Sequence, residues 1–189
     1  MAAAEAYLRG VERRIEAGLN PVVASVASLF VSRWDVAVQD KVPANLRARL
    51  AIAIAKRAYK AYCELLDSPR WLRAANSGAR AQRLLWASTG TKDPQAPDTL
   101  YVKALAAPFT VNTMPDNTLN ALADHGEIGS ILAQDGGDAE LVINEFSHAG
   151  IDVAALAAQL QTEGADAFVK SWNALLDVIK SKSHALQKA

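Results

Sequence analysis

The sequence predicts an α/β fold built on a parallel sheet, and two observations carry that prediction. First, three short apolar runs, "NPVVASVASLF" at 20–30, "RLLWAS" at 83–88 and "FTVNTMP" at 109–115, are separated by segments with helical spacing. Strands that alternate with helices form right-handed βαβ units. Second, the first run is apolar or small at both parities, with Val22, Val23, Val26, Leu29 and Phe30 joined by alanines and serines. A strand of that kind is expected to be buried on both faces, which is the habit of parallel sheets.

The elements follow in order. Leu8, Val11 and Ile15 recur at helical spacing, and Gly18 stands where a C-terminal glycine belongs. After the first strand a long helix is predicted, with Pro43 near its start and Leu46, Leu50, Ile54, Ala58 and Leu65 on one face. Ser68-Pro69 opens a shorter helix, with the serine as N-cap and the proline at its first position. The second strand is followed by a short helix over "TLYVKALAA" that Asp98 is placed to cap. Beyond the third strand, Asp116 is placed to cap a helix that ends at Gly126. Three more helices are expected around "DAELVINEFSHAG", "DVAALAAQLQTEG" and "DAFVKSWNALLDVIKS", each begun by an aspartate. "DGGD" at 135–138 reads as a turn leading to an N-cap. The strand-and-helix units occupy 1–126 and C-terminal helices 127–189, within a single domain. Three strands in 189 residues make either a small α/β domain or part of a barrel, since eight strands need about 250 residues.

Composition narrows the function classes. Twenty basic residues balance twenty acidic ones, and no basic stripe marks a nucleic-acid surface. The longest apolar stretch is far short of the roughly 18 residues that would suggest a membrane span. The N-terminus lacks the apolar core of a signal peptide. Cys63 is the only cysteine, which fits a reducing, cytoplasmic setting. The histidines have no metal-ligand spacing, so neither a metal nor a cofactor is expected. His125 and His148 each precede a helix-ending glycine, where an imidazole can meet the last carbonyls. Cys63, Trp86 and Trp172 read as packing residues.

In parallel α/β folds, sites lie at the carboxyl ends of the strands. The first strand ends in "SLFVSRWD", offering Ser28, Ser32 and Arg33. The second ends in "ASTGTKD", offering Ser88, Thr89, Thr91 and Lys92. The third offers Asn112 and Thr113. Hydroxyls with an Arg and a Lys are what a phosphate requires. Each residue also has an ordinary alternative: Arg33 paired with Asp35, Lys92 solvated in a turn, Ser88 capping that turn. "TGTK" lacks the glycine spacing of a Walker loop.

Taken together, "NPVVASVASLFVSRWD", "RLLWASTGTKDP…DTLYV", "FTVNTMPDNTL" and "FVKSWNALL" resemble transaldolase, with the nearest likeness to the bacterial branch related to the transaldolase/phosphoglucose isomerase fusions. The resemblance spans nearly the whole chain but covers only the C-terminal part of that family's (β/α)8 TIM barrel. It implies that the three strands are the sixth to the eighth. It also implies transfer of a dihydroxyacetone unit between sugar phosphates of the pentose phosphate pathway (fructose 6-phosphate, sedoheptulose 7-phosphate, erythrose 4-phosphate). In the family a strand lysine forms a Schiff base with the ketose, and carboxylates assist proton transfer. No lysine here fits that motif, so no catalytic residue is assigned and the isolated chain is expected to be inactive. The resemblance does supply phosphate contacts: Arg33, Ser88, Lys92 and Ser28, with Lys92 standing where other branches carry arginine and Asp93 where close relatives often carry asparagine. The expected partners are the sugar phosphates and either the missing N-terminal half or a second copy of the chain. The alternative is a non-catalytic α/β fragment that binds a partner or a phosphate.

Overall fold

The computed structural model describes residues 1–187, and the side chains through residue 186. Its elements in chain order are α1 (Ala2–Glu16), β1 (Val26–Phe30), α2 (Ser32–Val38), a 3-10 turn (Ala44–Leu46), α3 (Leu50–Asp67), α4 (Pro69–Asn76), β2 (Arg83–Ala87), α5 (Leu100–Ala104), β3 (Thr110–Asn112), α6 (Asp116–His125), α7 (Ala139–His148) and α8 (Val153–Gln187). The strands form one parallel sheet in the order β1-β2-β3. Ser28 sits opposite Leu85, and Leu85 opposite Val111. The chain divides into two compact units, one covering Met1–Ala149 and the other beginning at Gly150.

Local chemistry explains most boundaries. Gly18 takes the left-handed conformation at φ +66°. This lets the Gly18 N–H reach the Ile15 carbonyl and the Leu19 N–H reach that of Arg14, the paired closure of a Schellman motif. Ser68 caps α4 by accepting from the Trp71 N–H at 3.2 Å, with Pro69 in the first turn. Arg70 then binds α4 back to α1, gripping both oxygens of Glu12 at 2.6 and 2.7 Å and Glu5 at 2.6 Å. Beneath that pair Leu8, Val11, Trp71 and Ala74 form a small core.

Several predicted starts move. β1 begins only at Val26, and α3 begins at Leu50, after a separate turn at Ala44–Leu46. Thr99, not Asp98, stands at the N-cap of α5, and it makes no side-chain cap bond. The Asp98 carboxylate instead meets the His125 imidazole at 3.0 Å. Pro115 is the N-cap of α6, and Asp116 lies within the first turn. Asp152 does cap as expected, accepting from the Ala154 and Ala155 N–H groups. The two helices expected at the C-terminus are one, since α8 runs through Gly164 without a break. A single interior glycine costs a helix only about 1 kcal/mol, and the alanine- and leucine-rich flanks offset that cost.

The main core lies on one face of the sheet. Leu84 and Trp86 of β2 pack there with Ala51, Ala55 and Tyr59 of α3 and Tyr101 of α5. The other face departs from the expectation of two-sided burial. Val26 is 42% exposed, Ser28 is exposed, and Leu85 and Val111 are only half-buried. Apolar residues at both parities fit a strand for two covers, but α3 and α5 supply only one. Outside this core, α7 lies along α3 through buried Val142, Ile143 and Phe146. Arg49–Glu145, Lys56–Asp138 and Arg57–Glu140 pairs fringe that contact.

Candidate functional site at the strand carboxyl ends

The sheet hands its first two strands into adjoining loops that remain zipped together past the last strand residues. The Val31 N–H donates to the Ala87 carbonyl at 2.8 Å, and the Ser32 N–H donates to the Ser88 carbonyl at 3.1 Å. Side chains extend this seam: the Ser32 and Ser88 hydroxyl oxygens lie 2.9 Å apart. Ser32 is 1% exposed, whereas Ser88 is half-buried. Ser88 also has φ +57°, a left-handed conformation that a residue with a Cβ adopts only under constraint from its surroundings. That turn ends β2 and aims the chain toward β3.

Beyond it Thr89 is fully buried. Its hydroxyl donates to Asn112 Oδ1 at 2.8 Å, and the Thr113 carbonyl, 3.1 Å away, is a second acceptor for the same proton. Gly90 leaves little room for a side chain. A Cβ would stand 3.1 Å from Pro115 Cγ and 3.4 Å from Thr118 Oγ1, so the loop passes directly over the start of α6. Thr91 donates to the Pro97 carbonyl at 2.8 Å. The Asp93 carboxylate accepts from the Gln95 N–H at 2.9 Å.

The predicted residues fall as follows. Arg33 lies in the first turn of α2, half-buried, with its guanidinium 4.4 Å from the centre of the Phe30 ring. It does not pair with Asp35, the ordinary alternative. Asp35 is 7% exposed and accepts from the Ala51 N–H at 3.0 Å and from the Tyr101 hydroxyl at 2.7 Å. Burial pushes the Asp35 carboxyl up, against the opposing pull of those bonds. Burial, and then the Asp35 charge, pushes the Tyr101 phenol far above its ordinary value. This buried pair fixes α2, and Arg33 with it, against α3 and α5. Ser88 meets Ser32 directly, and Lys92 is exposed on the loop after β2. Ser28 lies within β1 on the open face, level with Leu85, rather than at the strand end. Ser32 and Arg33 thus follow the carboxyl end of β1, Ser88 and Lys92 follow that of β2, with Ser32 and Ser88 in direct contact, while Ser28 lies within β1.

Two supporting features went unread in the sequence. The Asp35–Tyr101 bond joins residues 66 positions apart, and no local pattern announces it. Gly90 was visible as a break in "STGTK", but its contact with Pro115 depends on the fold. His125 and Trp172 differ from their sequence readings. His125 turns to Asp98 and Asp124 instead of to the helix-end carbonyls, and those carboxylates raise its pKa. Trp172 is 60% exposed. Among the described residues no group of three or more His, Cys, Asp or Glu is arranged to hold a metal ion. No single helix among them is long and apolar enough to cross a membrane.

These features define a mixed α/β protein with a three-stranded parallel sheet, flanking helices and a hydroxyl-rich edge at the strand carboxyl ends. The chain belongs to the transaldolase/fructose-6-phosphate aldolase family, whose model matches residues 1–179. It is 46% identical over 187 residues to a transaldolase of Parafrankia sp. (strain EAN1pec), with 94% of this chain and 51% of that protein covered. It is 45% identical over 182 residues to a transaldolase of Thermobifida fusca (strain YX), covering 92% and 50%. With a Neisseria meningitidis transaldolase the identity is 42% over 172 residues, covering 90% and 49%. The chain spans about half the length of these curated relatives.

Proposed function

We propose that this chain supplies the phosphate-binding, C-terminal part of a transaldolase barrel, with β1, β2 and β3 as its sixth to eighth strands. The complete enzyme would transfer a dihydroxyacetone unit between sugar phosphates such as fructose 6-phosphate, sedoheptulose 7-phosphate and erythrose 4-phosphate. The observation that carries this reading is the Ser32–Ser88 hydroxyl pair beside Arg33. Each hydroxyl has one proton to donate. One proton lies between the two oxygens, so when buried Ser32 is the donor, half-buried Ser88 can offer its own outward. In this reading Arg33, after β1, and Lys92, after β2, supply the positive charge, and charge-assisted bonds to phosphate are the strong ones. Ser28 lines the open face below them.

The Schiff base needs a lysine in a dry site, where burial lowers its pKa. None of β1, β2 and β3 contains a lysine. Lys56 and Lys60 lie on α3, Lys103 on α5 and Lys92 in an exposed loop. In this reading the nucleophile comes from the other half of the barrel, and the chain alone is inactive.

Co-expression with the N-terminal half of the Thermobifida fusca transaldolase tests this. Turnover of fructose 6-phosphate and erythrose 4-phosphate should appear only in the combined preparation. Arg33→Ala in that preparation should raise KM about ten- to a hundredfold, the worth of a charge-assisted contact of about 1.5–3 kcal/mol. Turnover by the chain alone would overturn the division of roles, and an unchanged KM would make Arg33 structural.

The half-exposed sheet face favours a second reading, in which the chain is a non-catalytic module that binds a partner across Val26, Ser28 and Leu85. Association with the N-terminal half that yields no turnover would select it.

A further inference from the structure

The segment that carries Lys92 is tied at both ends to the short helix that carries Arg33. Its start is Ser88, whose hydroxyl oxygen lies 2.9 Å from that of Ser32 and whose carbonyl accepts from the Ser32 N–H. Its end is Tyr101, in the first turn of α5, whose hydroxyl donates to the Asp35 carboxylate at 2.7 Å. Between these ties Thr91 donates to the Pro97 carbonyl at 2.8 Å and closes the neck of the loop that holds Lys92. Ser32 and Asp35 flank Arg33 along α2. Residues two apart on a helix do not face each other, so Asp35 can turn inward without engaging Arg33.

We propose that Asp35 and Tyr101 are positioning residues for phosphate recognition: their bond sets the Lys92 loop against the Arg33 turn, so that both cations act on one phosphate. The proposal rests on the phosphate reading of this site. A seven-residue helix has little stability of its own, so α2 takes its orientation from its ties. Asp35 is 7% exposed and also accepts from the Ala51 N–H at 3.0 Å. That N–H is one of the donors that the first turn of α3 leaves without a helical partner. One carboxylate thus joins α2, the start of α3 and α5. Among the described residues no cation pairs with it. A buried carboxylate met only by neutral donors is costly to keep, and an apolar pair could pack the same helices at less cost. The polar bond adds direction. It forms only when Tyr101, and with it the end of the Lys92 loop, stands at one place beside α2.

The test is a double-mutant cycle on the chain combined with the N-terminal half of the Thermobifida fusca transaldolase. Tyr101→Phe keeps the ring in the core and removes only the hydroxyl. It should raise KM for fructose 6-phosphate about tenfold with kcat held. Lys92→Ala should raise KM about tenfold in the wild-type chain but no more than about twofold further in Tyr101→Phe, because the loop is already misplaced. Ile143→Ala is the control for stability alone. Ile143 is 4% exposed on α7, so its truncation weakens the same unit through packing and should leave KM unchanged. If Tyr101→Phe does not fold, Asp35→Asn is read in the same way, since it replaces one accepting oxygen by a donor. An unmoved KM in Tyr101→Phe, a full Lys92→Ala effect in that background, or an equal rise in KM from Ile143→Ala would overturn this proposal while leaving the phosphate reading in place. No turnover by the wild-type combination would overturn that reading, and this proposal with it.

Discussion

The two faces of the sheet are built from the same strands yet live in different surroundings. On one face Trp86 is 1% exposed and Leu84 9%, locked between α3 and α5. On the other, Val26 is 42% exposed and Ser28 is open to solvent. Strand alternation sends neighbouring side chains to opposite faces, so one residue's step separates a packed core from bare surface. Sequence composition reports what a strand is suited to bury, but which cover is present depends on the rest of the chain. The open face carries apolar Val26, with Leu85 opposite Val111, and the proposed phosphate site lies beyond the strand ends above it.

The comparison can be broken most forcefully at its buried side. Trp86→Ala should cost about 3–5 kcal/mol, whereas Val26→Ala should stay within about 0.5 kcal/mol in the isolated chain, both read by urea unfolding. If Val26→Ala costs as much as a core truncation, the open face is already covered in solution. A smaller loss is expected from Tyr101→Phe. It strips a donor from the buried Asp35 carboxylate and should cost about 1.5–3 kcal/mol. A silent Tyr101→Phe would remove this pair as the support that holds α2 under Arg33.

The smallest effect concerns the Lys92 loop, whose far end is tied to α6 by Asp98 and His125. The partners of His125 raise its folded pKa. Its contribution is therefore complete below the ordinary histidine value of about 6.5 and fades as pH rises through the raised value. The melting temperature of the wild-type chain should exceed that of His125→Gln at pH 6, and the gap should close well above neutrality. A gap that persists at pH 9 would mean the tie does not depend on charge.

Much of the fold was legible because its signals are local. The Schellman glycine at Gly18, the Ser68-Pro69 cap and the three apolar runs each lie within a few residues of the structure they specify. Helix continuity through Gly164 was not legible, since an aspartate two residues after a glycine resembles a new start. The positions of Arg33, Ser88 and Lys92 at strand ends followed from the βαβ pattern, while Ser28 sits mid-strand. The Thr89–Asn112 bond, the left-handed Ser88 and the Asp35–Tyr101 pair depend on tertiary contacts and left no local mark.

Borohydride trapping with fructose 6-phosphate tests the central claim most directly. The chain alone should yield no stable adduct by mass spectrometry, while the preparation combined with the N-terminal half should yield one adduct, on a lysine of that half. An adduct on this chain, above all at Lys92, would make it the carrier of the nucleophile and contradict the assignment of Lys92 to phosphate binding.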